Sequence, residues 1–349
     1  MKKYNGQIYM DIAVFYSIKK RMPSNIDILH SFNSVCCTNK PWVVTFEHTC
    51  PGYFENKLFS VFVKRAIKYI IDNNCKKLLP ISQWAYNREL QLLKKYDVSD
   101  MELKAILEKT EILYPPQEIL IDEELIFKTI TREINFVFIG NDIWRKGGIV
   151  AIKALANLKD KYPVRLILVS DLSIGGALKN CCITKKDIIA LKKYIKNNEG
   201  WITWYSGISN KEVINILKTC HVGLLPTFGD TFGFSVLEMQ AAGIPCITTN
   251  REALSEINNS DVGWILDIAS LKEQDEWSFC DYDEKSYNCM ENIILTKLNL
   301  ILEEILINPD VIMPKVPLCI RRIKKYHSPE VYAQRLSQIY SEVDICNVI

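Results

Sequence analysis

VGLLPTFGDTFGFSVLEMQAAGIPCITT, residues 222–249, decides the fold. An apolar run, Val222 to Leu225, enters a loop that holds Asp230 and Gly233. A helical stretch, FSVLEMQAAG, follows, and a second β-branched run, PCITT, comes after Gly243. Neither apolar run alternates with polar residues, which is the pattern of strands covered on both faces in a parallel sheet. A loop at a helix N-terminus offers main-chain N–H groups and the positive end of the helix dipole, so it suits an anion. Gly233 lets a phosphate approach the main chain closely. Glu238 lies eight residues after Asp230, five into the helix, and points back toward the loop.

The same grammar extends outward. INFVFIG (134–140) reads as a strand ending in Gly, GIVAIKALANLKDKY (148–162) as a helix, and VRLILV (164–169) as the next strand. KKDIIALKKYIKNN, ITWYSG, KEVINILKTC and GWIL continue the alternation, and Ser209-x-x-Glu212 is a capping box opening the third of these helices. Alternation of this kind makes a doubly wound α/β domain. The first half has fewer units: strands at 27–32, 42–48 and 76–82, and helices at 55–72 and 85–96. The stretch Ile8–Tyr16 is strand-like but lacks a Gly-rich turn after it. Pro115-Pro116 favours an extended connector, which places a linker at 115–132. Residues 267–290 read as a polar, aromatic insertion before a helix at 291–307. Ser328-Pro329-Glu330 caps a last helix running to about Val343.

Composition narrows the classes of function. Of 349 residues, 48% are hydrophobic and 24% charged, which is globular usage. Lys plus Arg is 43 against 41 Asp plus Glu, a net charge of +2 that argues against a nucleic-acid partner. Small phosphorylated ligands need only a few local donors and stay open. No secretory leader or transmembrane run is expected, and twelve cysteines without a C-x-x-C pair read as free thiols in a reducing cytoplasm, with no structural zinc. Between 57 and 77, six basic residues face one acid, with apolar residues interleaved. Two readings fit: a basic amphipathic helix making peripheral contact at the inner membrane face, or a helix whose apolar face packs on the N-terminal sheet.

The segment D-T-F-G-F-S-V-L-E-M-Q-A-A-G-I-P (230–245) resembles the signature of retaining glycosyltransferases of the GT-B fold, family 4, which usually read E-G-F-G-x-x-x-L-E-A-x-A-x-G-x-P. Phe232, Gly233, Leu237, Glu238, Ala241, Gly243 and Pro245 match, and Asp230 stands where the family has Glu. Phe138-Ile-Gly140-Asn141-Asp-Ile-Trp-Arg145-Lys146-Gly147-Gly148 resembles the family's G-R-x5-K-G pattern, with Asn141 in the usual Arg position. Asn250-Arg251-Glu252-Ala-Leu-Ser-Glu256, Tyr205–Ser209 and Thr45–Thr49 resemble further family segments.

The resemblance implies an α/β GT-B protein: two Rossmann-like doubly wound domains facing a cleft, the N-terminal one shortened. An acceptor domain at 1–126, a nucleotide-sugar domain at 127–327 and a helix at 328–349 returning to the first domain are expected. It implies a retaining, metal-independent transferase of the hexosyl type, moving a sugar from a nucleotide-diphosphate sugar to a glycan or lipid-linked hydroxyl in polysaccharide or glycoconjugate synthesis. No cofactor and no metal are expected. Lys146 and Arg145, with the amides of Thr231, Phe232, Gly233 and Phe234, would hold the diphosphate. Glu238, Ile208 and Gly140 would bind the nucleotide, and Asp230 and His48 would face the transferred sugar. Two other readings compete: a non-catalytic GT-B module that binds a nucleotide sugar or a partner, and a GT-B sugar-nucleotide epimerase.

Overall fold

Every strand pair in the protein is parallel, and the strands form two sheets, among the residues that the computed structural model describes: 26–51, 60–121, 133–175, 183–268 and 283–345. The expected strand Ile8–Tyr16, residues 122–132 of the linker, most of the 267–290 insertion and Cys181-Cys182 lie outside the described residues. The chain forms two compact units, Met1–Pro116 with Pro329–Ile349, and Gln117–Ser328.

Unit 1 is built on β1 (Leu29–Phe32), β2 (Trp42–Phe46) and β3 (Cys75–Pro80), in the order β1-β2-β3. Successive side chains of a strand point to opposite faces, and both faces here are apolar. Trp42, Val44, Phe46 and Leu78 join one core cluster with α1 (Ser60–Ile71), α2 (Gln83–Lys95) and α3 (Asp100–Glu108). Val43 and Leu79 join another with Ile339 of the last helix. In α1, Val63, Ala66, Ile67 and Ile70 are buried while Lys64, Arg65 and Lys68 are exposed, so the apolar face of this basic helix is spent on the core. The helix α3 adds to the sequence reading; Ser99 and Glu102 form a capping box at its start, and only Ile106 in it is fully buried.

Unit 2 holds six strands in the order β6-β5-β4-β7-β8-β9. They are β4 (Ile134–Ile139), β5 (Val164–Val169), β6 (Ile202–Tyr205), β7 (Val222–Leu225), β8 (Cys246–Thr249) and β9 (Gly263–Leu266). The chain winds outward from β4 to β6, returns beside β4 as β7, and winds the other way. The point of reversal, between β4 and β7, is where ligands of open α/β sheets sit. Interleaved helices are α4 (Gly148–Ala156), α5 (Lys185–Asn197), α6 (Asn210–Leu217), α7 (Phe234–Ala241), α8 (Leu254–Ile257), α9 (Glu284–Ile307) and α10 (Val316–Tyr326). Helix α4 stops at Ala156, six residues before the expected end, and its last stretch is a series of turns. Helix α9 begins at Glu284, inside the expected insertion, because Asp283 accepts the Ser286 N–H at 2.7 Å and caps it there. The Ser209 capping box forms at the start of α6.

After Pro116 the main chain is bonded to unit 2: Gln117 N–H donates to His327 O at 2.8 Å and Leu120 N–H to Ala241 O at 2.9 Å. The terminal helix α11 (Pro329–Ile345) belongs to unit 1. Its Arg335 makes a two-pronged pair with Glu111, at 2.5 and 2.6 Å, and its Tyr340 hydroxyl lies 2.6 Å from His30 Nδ1.

Candidate active site

The two segments quoted from the sequence meet at the C-terminal ends of β4 and β7, which are hydrogen-bonded neighbours. Arg145 joins them by three hydrogen bonds. Phe228 N–H donates to Arg145 O at 2.9 Å, Thr227 Oγ1 donates to the same oxygen at 3.0 Å, and Arg145 Nη1 donates to Gly229 O at 2.5 Å. Gly147 completes the junction. It has φ of +80°, and a Cβ on it would lie 2.0 Å from Pro226 O. A Gly147→Ala substitution therefore imposes a left-handed backbone penalty of about 1–2 kcal/mol and a main-chain clash. We expect a fall in melting temperature of about 2–8 °C from the backbone penalty, deepened by the clash, measured by thermal denaturation.

Lys146 crosses this junction. A Cβ on Gly140 would sit 2.6 Å from Lys146 Cδ, so the bare glycine lets the lysine stem pass over the end of β4. The ammonium reaches Asp230 Oδ2 at 3.0 Å, and Asp230 Oδ1 accepts the Gly233 N–H at 3.0 Å. Asp230 is buried, with 8% of its surface exposed, so a charge there requires these partners.

Helix α7 opens at Gly233, whose φ is +91° and which supplies no side-chain cap. The glycine is required by the fold: a Cβ would lie 2.5 Å from Leu254 Cδ2. Phe232 is buried against Phe234 and His327, while Phe234 is exposed. Thus Phe232 and Gly233 can offer a ligand only main chain. Ser235, in the first turn, is a functional candidate missed in the sequence. Its hydroxyl is buried and has no hydrogen-bond partner among the described residues.

Ser235, Lys146, Arg145 and Gly140 line a cleft of about 620 Å³ at this end of the sheet. Its other wall is Ser170 and Asp171 after β5, and Gly207 and Ile208 after β6. Asp171 Oδ1 accepts from Ser206 Oγ at 2.9 Å and from Gly207 N–H at 3.1 Å, which fixes the loop carrying Ile208. Asn141, in the usual Arg position, is structural: its Oδ1 accepts the Asp171 N–H at 3.1 Å. Arg145 lines the cleft, but its Nε donates to Asp142 at 2.7 Å and its Nη1 to Gly229, so the guanidinium already serves the loops.

Glu238 is half-buried on α7. Burial raises its carboxyl above the usual carboxylate range, and the nearby Lys146 charge opposes that rise. No side chain or main-chain group of the described residues donates to it. Glu252, just after β8, was quoted only as part of a longer segment. It has φ of +52°, its carboxylate accepts the Asp230 N–H, and burial together with Asp230 pushes it up to about 8. Nothing in sequence spacing signals a left-handed glutamate.

His48 lies in unit 1, just beyond β2. It is buried, its Nδ1 is 3.3 Å from Thr49 Oγ1, and its ring meets Trp84 edge-on at 5.1 Å. Burial, and then the Arg88 charge, hold its pKa down to about 3, so the imidazole is neutral. Of the twelve cysteines, the eight within the described residues are all free thiols and seven of them are buried. Among the described residues, no helix is long and apolar enough to cross a membrane.

Residues 122–276 match a family model described as "Glycosyl transferases group 1". Compared by sequence with the curated proteins, the chain matches none. Among solved structures it is similar to a glycosyltransferase from Rickettsia africae ESF-5, with 15% identity, 98% of this chain and 84% of that one covered, and a TM-score of 0.58. Sucrose-phosphate synthase from Thermosynechococcus elongatus gives 13%, 97%, 77% and 0.60. HepE from Anabaena, in complex with UDP and glucose, gives 14%, 86%, 72% and 0.58. The chain therefore has the α/β GT-B fold of these structures, with Rossmann-like units, and the part of it that carries the cleft matches glycosyl transferases group 1.

Proposed function

We propose that this protein is a retaining glycosyltransferase of family 4, moving a hexose from a nucleoside diphosphate sugar to a hydroxyl acceptor. The observation that carries the reading is the Lys146–Asp230 pair at the sheet's reversal point, beside an uncapped helix start and the unpartnered Ser235 hydroxyl. A cation, a helix N-terminus and a lone hydroxyl around one cleft make an anion seat. The printed complexes of HepE with UDP and glucose, and of the pneumococcal O-GlcNAc transferase GtfA with UDP and GlcNAc, favour a sugar nucleotide as the anion.

In this reading Lys146, Ser235 and the main-chain amides of Thr231, Phe232 and Phe234 hold the diphosphate, the expected Gly233 amide being taken by Asp230 Oδ1. Gly140 and Ile208 flank the nucleoside, and Glu238 accepts from the ribose hydroxyls. Asp230 accepts from the transferred sugar. The C1–O bond to the diphosphate breaks while the acceptor oxygen bonds to C1 on the same face. The acceptor proton passes to the leaving phosphate oxygen, whose new charge Lys146 and the helix start stabilise. Arg145 contributes by fixing the loops. For His48 the proposal is a neutral hydrogen-bonding group, not a cation. The acceptor would be a glycan or a lipid-linked glycan, the compartment a reducing one in which the free thiols persist, and any peripheral membrane contact would fall to the exposed Lys64, Arg65 and Lys68.

Thermal denaturation with UDP, GDP, ADP and their sugar conjugates, with and without EDTA, tests this. A ligand at one hundred times its Kd adds about 2.7 kcal/mol, a rise of roughly 5–11 °C. One nucleotide should give that rise, unchanged by EDTA, and its sugar conjugate should be consumed with retention at C1. Failure of all of them to shift the transition overturns the proposal. A shift without transfer to any hydroxyl acceptor leaves a binding module.

A further inference from the structure

Glu252 stands out because three features coincide in a residue that lines no part of the cleft. Its main chain is left-handed, with φ of +52°, a conformation that costs an L-residue energy. Its carboxylate is turned inward and accepts the Asp230 N–H. The second oxygen, Oε2, is shut off from solvent with no partner among the described residues. The loop after β8 places this side chain against the main chain of Asp230, whose carboxylate pairs with Lys146. Strain and an orphaned buried acceptor in one residue mark a position held for function.

We propose that Glu252 is a positioning residue for the anion seat: it anchors the Asp230 main chain, and the proton on its carboxyl group keeps a second negative charge away from Asp230 when a nucleoside diphosphate is bound. This rests on the reading of the cleft given above. The charges facing Glu252 are Asp230 from the loop after β7, Arg145 from the loop after β4, and Arg251 in its own segment, with Lys146 beyond Asp230. In the free protein Lys146 balances Asp230. A bound diphosphate draws on the same ammonium, and Arg145 is already engaged by Asp142 and Gly229. With Glu252 neutral, Asp230 is the carboxylate paired with the ammonium that the phosphates also seek. With Glu252 ionised, a second carboxylate charge lies beside Asp230.

The sign of the effect follows. The folded carboxyl titrates near 8 against an ordinary 4.5, so folding takes up a proton between these values and stability falls as pH rises through that window. Glu252→Gln keeps an acceptor for the Asp230 N–H and carries no charge. The melting curves of the wild type and this variant should lie closest at pH 5, separate progressively up to pH 8 in favour of the variant, and run parallel beyond. Binding of UDP, GDP and ADP is then titrated by calorimetry from pH 6 to 9. For the nucleotide that binds, wild-type affinity should fall about tenfold by pH 9, one unit above the titration, and the Gln variant should show no such fall. Glu252→Ala, which loses the anchor, should bind more weakly at every pH.

Melting curves with one and the same pH dependence overturn the proton. Separated melting curves with superimposable pH profiles of binding overturn the link to the anion seat. If neither protein binds any of the three nucleotides, the proposed function falls and takes this inference with it. Normal wild-type binding with the first or second result overturns this inference alone.

Discussion

Lys146→Ala should lower turnover of the nucleoside diphosphate sugar by about 10²–10³-fold, the loss seen when one pre-set electrostatic donor is removed from a reacting centre. The ammonium combines a full positive charge with a reach set by the fold. Gly140 clears its path, and Asp230 holds its tip at 3.0 Å. Arg145 is the poorer substitute, because its Nε and Nη1 already serve Asp142 and Gly229. The substitution also strips the cation from a buried carboxylate, which should cost about 1–3 kcal/mol of stability. Adding Asp230→Asn to Lys146→Ala removes the stranded charge. That double variant should regain melting temperature, which assigns the stability loss to the stranded charge. Wild-type turnover in Lys146→Ala alone would show that Lys146 acts only on the fold.

Glu238→Ala should separate binding from stability in the opposite way. The carboxylate receives no hydrogen bond from the described residues, and burial raises it above the usual carboxylate range. A group with that shift costs the folded state stability as pH rises past its ordinary titration. At neutral pH the variant should thus melt no lower than the wild type. Nucleotide affinity should drop about 10–100-fold, the worth of hydrogen bonds to one charged acceptor at roughly 1.5–3 kcal/mol. Calorimetric titration with the nucleotide that stabilises the wild type measures it. Unchanged affinity would remove Glu238 from the nucleotide site.

Much of this was legible in the sequence because it depends on short-range pattern. Runs such as VRLILV, apolar but for Arg165, and VGLL became inner strands of a parallel sheet. The Ser209 capping box needs only its own four residues. Lys146 and Asp230 were both singled out from spacing, but their ion pair was not. It depends on β7 returning beside β4, a long-range event that places residues 84 apart in sequence within hydrogen-bond distance. The role of Arg145 shifted for the same reason: its partner Gly229 belongs to the other loop. Ser235 and Glu252 carried no local mark. A serine in a first helical turn is ordinary, and a glutamate with positive φ has no sequence signature. Helix α3 hides its apolar face in a single fully buried residue, Ile106, which is too little periodicity to read.

The last helix has a consequence in time. Val43 and Leu79, on one face of the first sheet, find their partner in Ile339. At about 5–20 residues per second of synthesis, the stretch between Pro116 and Pro329 takes roughly 10–40 s to emerge. Until Ile339 has been made, Val43 and Leu79 lack this partner, whereas the unit carrying the cleft has all its residues once Ser328 is made. Maturation thus runs against the order of translation: the half begun first is finished last, and a ribosome stalled after Ser328 leaves a finished second unit tethered to a first one that lacks its last helix.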